Sequence, residues 1–236
     1  MQIRLFHKTN SRSQRIVWLL EELQLDYELI FCDSAALNPA LQQADHPHRL
    51  GKFPTLQIHH NPSLEVITLA ETAAIADYLS YLCNDLAISK LTAPEVIQYY
   101  YWKNFTEATF MPDLALKQIF AAIVSKTPLP VRFVSRLFKL GFDRGYLNQS
   151  LKQHMQMIED QLQSHAYITG DQFSLADILL WFPLQACTAC NTEFKAFVHI
   201  QRYLLQLQSR PAFQRACKTG HWSTGIFESY WASANS

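Results

Sequence analysis

The stretch Asn10-Ser11-Arg12-Ser13-Gln14-Arg15-Ile16-Val17-Trp18-Leu19-Leu20-Glu21-Glu22-Leu23 decides how the first third of the chain folds. Ile16, Leu19, Leu20 and Leu23 recur at i, i+3, i+4 and i+7, one apolar face of a helix. Outward from that helix, Ile3 to His7 reads as a strand on one side and Tyr27-Glu28-Leu29-Ile30-Phe31 as a strand on the other. Strand, helix, strand implies a parallel pair joined by a crossover. Residues 34 to 50 turn polar around Pro39 and Pro47, which predicts a weak helix and a loop. Thr55 to His59, a turn at Asn61-Pro62-Ser63, and Glu65 to Thr68 then read as a hairpin. A helix follows, with Ile75, Tyr78, Leu79 and Leu82 on one face.

After residue 83 no strand pattern is visible, and Asn84 to Leu91 reads as a linker. Thr92-x-x-Glu95, with Pro94 in the first turn, is a capping box that opens a helix rich in aromatics, among them Tyr99, Tyr100, Tyr101, Trp102, Phe105 and Phe110. Pro112 is expected to kink or end it. Pro128 and Pro130 mark the next boundary. Ser150 to Ser164 is helical, with Leu151, Met155, Ile158 and Leu162 on one face. Ser174-x-x-Asp177 is a second capping box, and Phe197 to Leu207 is a helix stopped before Pro211. The expected architecture is an α/β domain (βαβ then ββα) over 1–83, a linker over 84–91, and an all-helical domain over 92–236.

The 236 residues are 49% apolar and 17% charged, ample for a packed core. Lys plus Arg equals Asp plus Glu at 20 each, so the average charge offers no reason to expect nucleic acid or an anionic membrane as partner. The opening residues lack the pattern of a secretory signal, and no apolar run is long enough to span a bilayer. The five cysteines are scattered and odd in number, which argues against a disulfide framework and for a reduced, cytoplasmic protein. Cys187-Thr-Ala-Cys190 lies in an apolar stretch and reads as a buried pair rather than a metal or redox site. His59-His60 reads as surface, and no metal is expected. Arg132, Arg136, Lys139 and Arg144 form a basic run, read as a solvated helix face with a dimer contact or an anion site as alternatives.

Three short segments carry chemistry. Ser11-x-x-Gln14 fits a capping box, and the same helix start can receive an anion, with the serine hydroxyl donating to a bound thiolate. Phe53-Pro54, inside Gly51-Lys52-Phe53-Pro54-Thr55-Leu56, is either a cis peptide that presents the Phe53 backbone to an extended peptide or an ordinary trans turn. Leu69-Ala70-Glu71-Thr72 opens a helix whose N–H groups and Thr72 hydroxyl can bind a carboxylate while Glu71 accepts from an ammonium; the plain reading is a weak cap.

Taken in order, these segments resemble the cytosolic glutathione S-transferases of the serine-type bacterial and fungal branch. Asn10 to Glu28 resembles the start of that family, Gly51 to Leu56 its cis-proline segment, and Leu69 to Leu79 its Glu-Ser segment. Tyr101 to Pro112 resembles the first helix of the family's second domain, and Ile168 to Ile178 its capping box and staple. The resemblance implies a thioredoxin-like first domain, glutathione as co-substrate, a hydrophobic small-molecule electrophile as second substrate and a homodimer. It implies Ser11 as the catalytic hydroxyl facing the sulfur, with Asn10 and Ser13 within a position or two of that alignment. Lys52, Phe53, Pro54, Glu71 and Thr72 would hold glutathione, and Phe105, Glu107, Phe110 and Met111 would face the electrophile. Thr72 stands where serine is usual, and Gln24 where glycine is common, a change expected to touch packing. The implied activity is conjugation or glutathione-dependent peroxide reduction, with a non-catalytic binding protein of the same fold as the alternative. A disulfide reductase is disfavoured because no cysteine occurs between residues 7 and 16.

Overall fold

The computed structural model describes residues 1–32, 47–60, 65–86 and 88–235. Most of the weak helix and loop expected over 34–50, and the turn at 61–63, lie outside the described residues. The described chain divides into two compact units. One comprises Met1–Leu91 with Leu207–Ser223, the other Thr92–Gln206 with Thr224–Ser236.

The first unit is built on a four-stranded sheet in the order β2-β1-β3-β4, with β1 Gln2–His7, β2 Glu28–Phe31, β3 Thr55–His59 and β4 Ile67–Ala70. β1 pairs parallel with β2 and antiparallel with β3, and β3 pairs antiparallel with β4. This is the mixed sheet of a thioredoxin-like domain, as the family resemblance implies, in the βαβ then ββα order read from the residue pattern. α1 (Gln14–Glu22) and α2 (Thr72–Cys83) supply its helices. Ile3, Leu5, Leu56 and Ile58 of the sheet are buried, as are Ile16, Val17, Trp18, Leu19 and Leu20 of α1. β4 begins two residues later than the hydrophobic pattern suggests, because pairing starts at Ile58 opposite Ile67. Gln24 adopts φ 53°, so the glycine usual there answers a left-handed backbone after α1 rather than a packing need.

The segment 207–223, assigned from sequence to the helical domain, groups with the sheet unit because α9 (Pro211–Thr219) covers α1. Trp18 and Phe213 meet edge to face at 5.0 Å. The Arg210 guanidinium donates to both carboxylate oxygens of Glu22 at 2.6 and 2.9 Å, and the Gln14 amide donates to the Ala216 carbonyl at 2.7 Å.

The second unit is all-helical. Its helices are α3 (Ala93–Asn104), α4 (Met111–Lys126), α5 (Arg132–Phe142), α6 (Asn148–Ser164), α7 (Leu175–Cys190), α8 (Val198–Gln208, whose last two residues group with the sheet unit) and α10 (Thr224–Ala232). Of the three predicted capping boxes, the two of this unit form. The Thr92 N–H and hydroxyl donate to Glu95 at 2.8 and 2.7 Å, and those of Ser174 to Asp177 at 2.8 and 2.9 Å. α7 is the core helix, buried at nearly every position, and it carries Pro183 within it.

Pro112 does not end the aromatic helix. Phe105–Phe110 winds as a wider π-helical segment, and α4 runs on to Lys126. Pro112 falls in the first turn after that segment, where a missing N–H costs little. The basic run is not one solvated face either. Lys139 is buried, with its ammonium 3.0 Å from Asp143 Oδ2. Among the described residues, no helix is long and apolar enough to cross a membrane.

Candidate functional site

The sheet register gathers the three segments singled out above. β1 ends at His7, and its Phe6 pairs with Thr55, the first residue of β3. Thr55 pairs in turn with Ala70, the last residue of β4. The loop carrying Asn10 to Ser13, the Lys52-Phe53-Pro54 corner, and Glu71-Thr72 therefore all leave the same end of the sheet.

At that end the three residues left open by the sequence part company. Ser13 is fully buried, and its hydroxyl lies 2.8 Å from His7 Nδ1. His7 Nε2 faces the Gly220 carbonyl at 3.0 Å; a carbonyl only accepts, so Nε2 carries the proton and Nδ1 accepts from Ser13. Ser13 Oγ also accepts from the Lys8 N–H at 3.2 Å. Asn10, at φ 52°, uses its side-chain oxygen to accept from the Ser223 N–H at 2.8 Å. Ser11 keeps a partly exposed hydroxyl, which donates to the Lys8 carbonyl at 2.8 Å and lies 2.9 Å from Ser13 Oγ.

The expected capping box at Ser11 is absent. Ser11 Oγ accepts from the Ser13 N–H at 3.3 Å, and the Gln14 side chain turns to Ala216. The N–H groups of Gln14, Arg15 and Ile16 bond back to the carbonyls of Ser11, Arg12 and Ser13. The N–H groups of Ser11 and Arg12 have no acceptor among the described residues. The donors open to an anion are thus the Ser11 hydroxyl and the two N–H groups beside it, not the first turn of α1.

The Phe53–Pro54 bond is cis, and the Thr55 hydroxyl donates to the Lys52 carbonyl at 2.8 Å. Lys52 is exposed, Phe53 half-buried and Pro54 buried. Glu71 is exposed, with φ 70° and ψ 118°, a backbone state costly for any residue with a Cβ. Thr72 is buried as the first residue of α2, where N–H groups have no partner within the helix. Strain held next to a set of open donors is the signature of a binding corner.

In the helical unit, a cavity of about 650 Å³ is lined by Tyr100, Tyr101, Phe105, His154 and Met157 among others. Of the four residues proposed to face an electrophile, Phe105 lines this cavity. Glu107 is half-buried, Met111 is nearly buried, and Phe110 is wholly buried with its ring 5.7 Å from that of His154. His154 went unnoticed in the sequence, although it follows Ser150 by one helical turn. Its Nε2 lies 3.0 Å from Asp113 Oδ2, to which Ser150 also donates. His7 was likewise missed, because a histidine ending a strand looks like any other until its partners are known.

Cys187 and Cys190 are buried thiols. Desolvation pushes both up, Cys190 to about 12, as for an inert structural pair. Among the described residues no group of His, Cys, Asp and Glu could hold a metal ion.

The chain is similar to known proteins over most of its length. The family described as "Glutathione S-transferase, N-terminal domain" matches residues 1–81, and "Glutathione S-transferase, C-terminal domain" matches residues 140–215. "Glutathione S-transferase 3" of Schizosaccharomyces pombe is 31% identical, over 91% of this chain and 86% of its own. "Glutathione S-transferase 1" of Saccharomyces cerevisiae is 26% identical, over 86% of this chain and 89% of its own. A crystal structure of a glutathione S-transferase from Actinobacillus pleuropneumoniae superposes with a TM-score of 0.70 at 28% identity, covering 93% of each chain. With both domain families matched in order and a curated relative aligned over nearly its whole length, the chain belongs to the glutathione S-transferase family.

Proposed function

We propose that this chain binds glutathione at the sheet end described above and activates its thiol through the Ser11 hydroxyl. The carrying observation is the register that brings Ser11, the cis Phe53–Pro54 corner and Glu71-Thr72 to one edge. Phe53 offers its backbone to the cysteinyl part, Lys52 its ammonium to the glycyl carboxylate, and Glu71 with Thr72 receive the γ-glutamyl group. Solved proteins of this fold, from Burkholderia graminis and Pseudomonas fluorescens, are described with two glutathione molecules bound.

A free thiol titrates near about 8.5 and is mostly protonated at neutral pH. Lowering that value by about 2 units needs roughly 2.7 kcal/mol of preference for the thiolate. A charge-assisted hydrogen bond contributes about 1.5–3 kcal/mol, so Ser11 with the neighbouring N–H groups is sufficient. The hydroxyl swings its proton from the Lys8 carbonyl to the sulfur, while its oxygen keeps the Ser13 N–H. The buried Ser13–His7 pair holds the loop in place, and Ser13 itself never meets the ligand. The thiolate attacks a hydrophobic electrophile or a hydroperoxide, the chain acts as a homodimer, and its thiols suit the reducing cytoplasm.

The test is ultraviolet titration of the glutathione thiolate on the protein, alongside turnover of a generic aryl halide. Ser11→Ala should return the bound thiol toward its value in water and slow turnover about 10- to 100-fold, the equivalent of one such bond. Ser13→Ala should lower stability first. A bound thiol that titrates as in free solution, in the unmutated protein, overturns the reading. Binding without turnover across electrophiles and peroxides would instead identify a non-catalytic binder.

A further inference from the structure

Helix α5 is turned inside out. Of its basic residues, Lys139 is buried against Asp143, and Arg132 donates to the Thr127 and Ser125 carbonyls of the preceding turn at 3.0 and 3.2 Å. Asp143, itself buried, also lies 3.7 Å from the buried Lys117 ammonium. The apolar residues face outward, with Phe133 62%, Leu137 64% and Phe138 66% exposed. Phe133, Val134, Leu137 and Phe138 follow at i, i+1, i+4 and i+5, so they form one continuous helical face. Leu129, 76% exposed in the turn before the helix, and Ile119 and Ile123 of α4 extend it. A shallow cavity of about 500 Å³, lined by Phe120, Ile123, Val131, Val134 and Phe138, runs along it. Isolated apolar residues are ordinary on a surface, but a contiguous patch of this kind marks a binding face.

The segment that carries the patch has charges of one sign. No Asp or Glu occurs between Asp113 and Asp143, while Lys117, Lys126, Arg132, Arg136 and Lys139 do, followed by Arg144. Asp143 is spent internally on Lys139 and Lys117. Lys126, Arg136 and Arg144 are exposed and make no ion pair among the described residues. The even balance of 20 against 20 over the whole chain hides this local excess. We propose that this face docks the protein on an anionic lipid surface, with the aromatic and aliphatic side chains in the headgroup region and the cationic rim on the lipid phosphates and carboxylates. A second copy of the chain is a poorer occupant. Two-fold pairing through this patch would set each cationic rim against its own image, with no Asp or Glu in residues 114–142 to separate them.

The experiment is co-sedimentation of the full chain with vesicles of phosphatidylcholine alone and of phosphatidylcholine with phosphatidylserine. Binding is expected to the anionic vesicles, to weaken as salt is added, and to be slight on the neutral ones. Arg136→Gln should weaken it about fivefold, the share of one cationic residue near such a surface. Phe138→Ser together with Leu137→Ser should weaken it by about tenfold or more, with aryl-halide turnover and the circular dichroism spectrum unchanged. Absence of binding to the anionic vesicles, or binding indifferent to both sets of substitutions, overturns the proposal. So does a fall in sedimenting mass of the double variant without vesicles, which would give the face to a second copy.

Discussion

Ser11 and Ser13 are two residues apart and chemically identical, yet only Ser11 keeps a partly exposed hydroxyl. The difference comes from His7. Its Nδ1 draws Ser13 inward, and its Nε2 is held by the Gly220 carbonyl. Backbone conformation is decided at the same scale. Gln24 sits at φ 53° just after α1, where a side chain costs about 1–2 kcal/mol and glycine costs little. Against that, glycine loses about 0.4–1 kcal/mol through a freer unfolded chain. Gln24→Gly should therefore raise the urea midpoint modestly, by the equivalent of about 0.5–1 kcal/mol. A lower midpoint would show that the Gln24 side chain contributes more than its backbone costs.

At the scale of elements, the helical unit is tied together at helix starts by buried carboxylates. Asp177 is fully buried and accepts from Ile168 N–H at 2.9 Å, Tyr203 O–H at 2.7 Å, and the N–H and hydroxyl of Ser174. Burial pushes its carboxyl above the ordinary value while these donors pull it down. Glu159 of α6 does similar work for α8, accepting from the His199 and Ile200 N–H groups at 3.0 and 2.8 Å. Asp177→Ala strands at least three buried donors, each worth roughly 1–3 kcal/mol when unpaired, so a loss of about 3 kcal/mol or more is expected in chemical denaturation. A loss under about 1 kcal/mol would mean water replaces the carboxylate. The π segment at Phe105–Phe110 belongs to this scale too. It carries the helix past Pro112 and brings Phe105 onto the cavity shared with His154.

For the whole molecule, the thiols set how stability changes with alkali. Burial raises Cys190 to about 12 and Cys217 to about 11, and raises Cys187 as well. In the unfolded chain these thiols titrate near about 8.5. Above that value the unfolded state loses protons that the folded state keeps, so unfolding becomes more favourable as pH rises. The contribution of these groups is complete below about pH 8.5 and declines toward the folded values. The urea midpoint should therefore fall progressively from about pH 8.5 upward, and Cys190 should resist alkylation until the chain unfolds. A flat midpoint over that interval, or rapid labelling of Cys190 in the folded protein, would contradict its burial.

Local pattern alone determined the strands, most helices and two of the three expected capping boxes. Periodicity and cap chemistry are properties of neighbouring residues, visible wherever side chains three or four positions apart share a face. That the three segments meet was expected only through family resemblance; the pairing of Phe6 with Thr55 and Thr55 with Ala70 is what brings them to one edge. Tertiary structure alone separated Ser11 from Ser13 and Asn10, because His7, which holds Ser13, is itself fixed by Gly220, and Asn10 is held by Ser223, both from a distant part of the chain. It also returned α9 to the sheet unit and buried Lys139 of α5 while leaving its apolar side chains outside. Helical periodicity shows that a helix has two faces; which face is buried depends on whether a partner such as Asp143 waits inside.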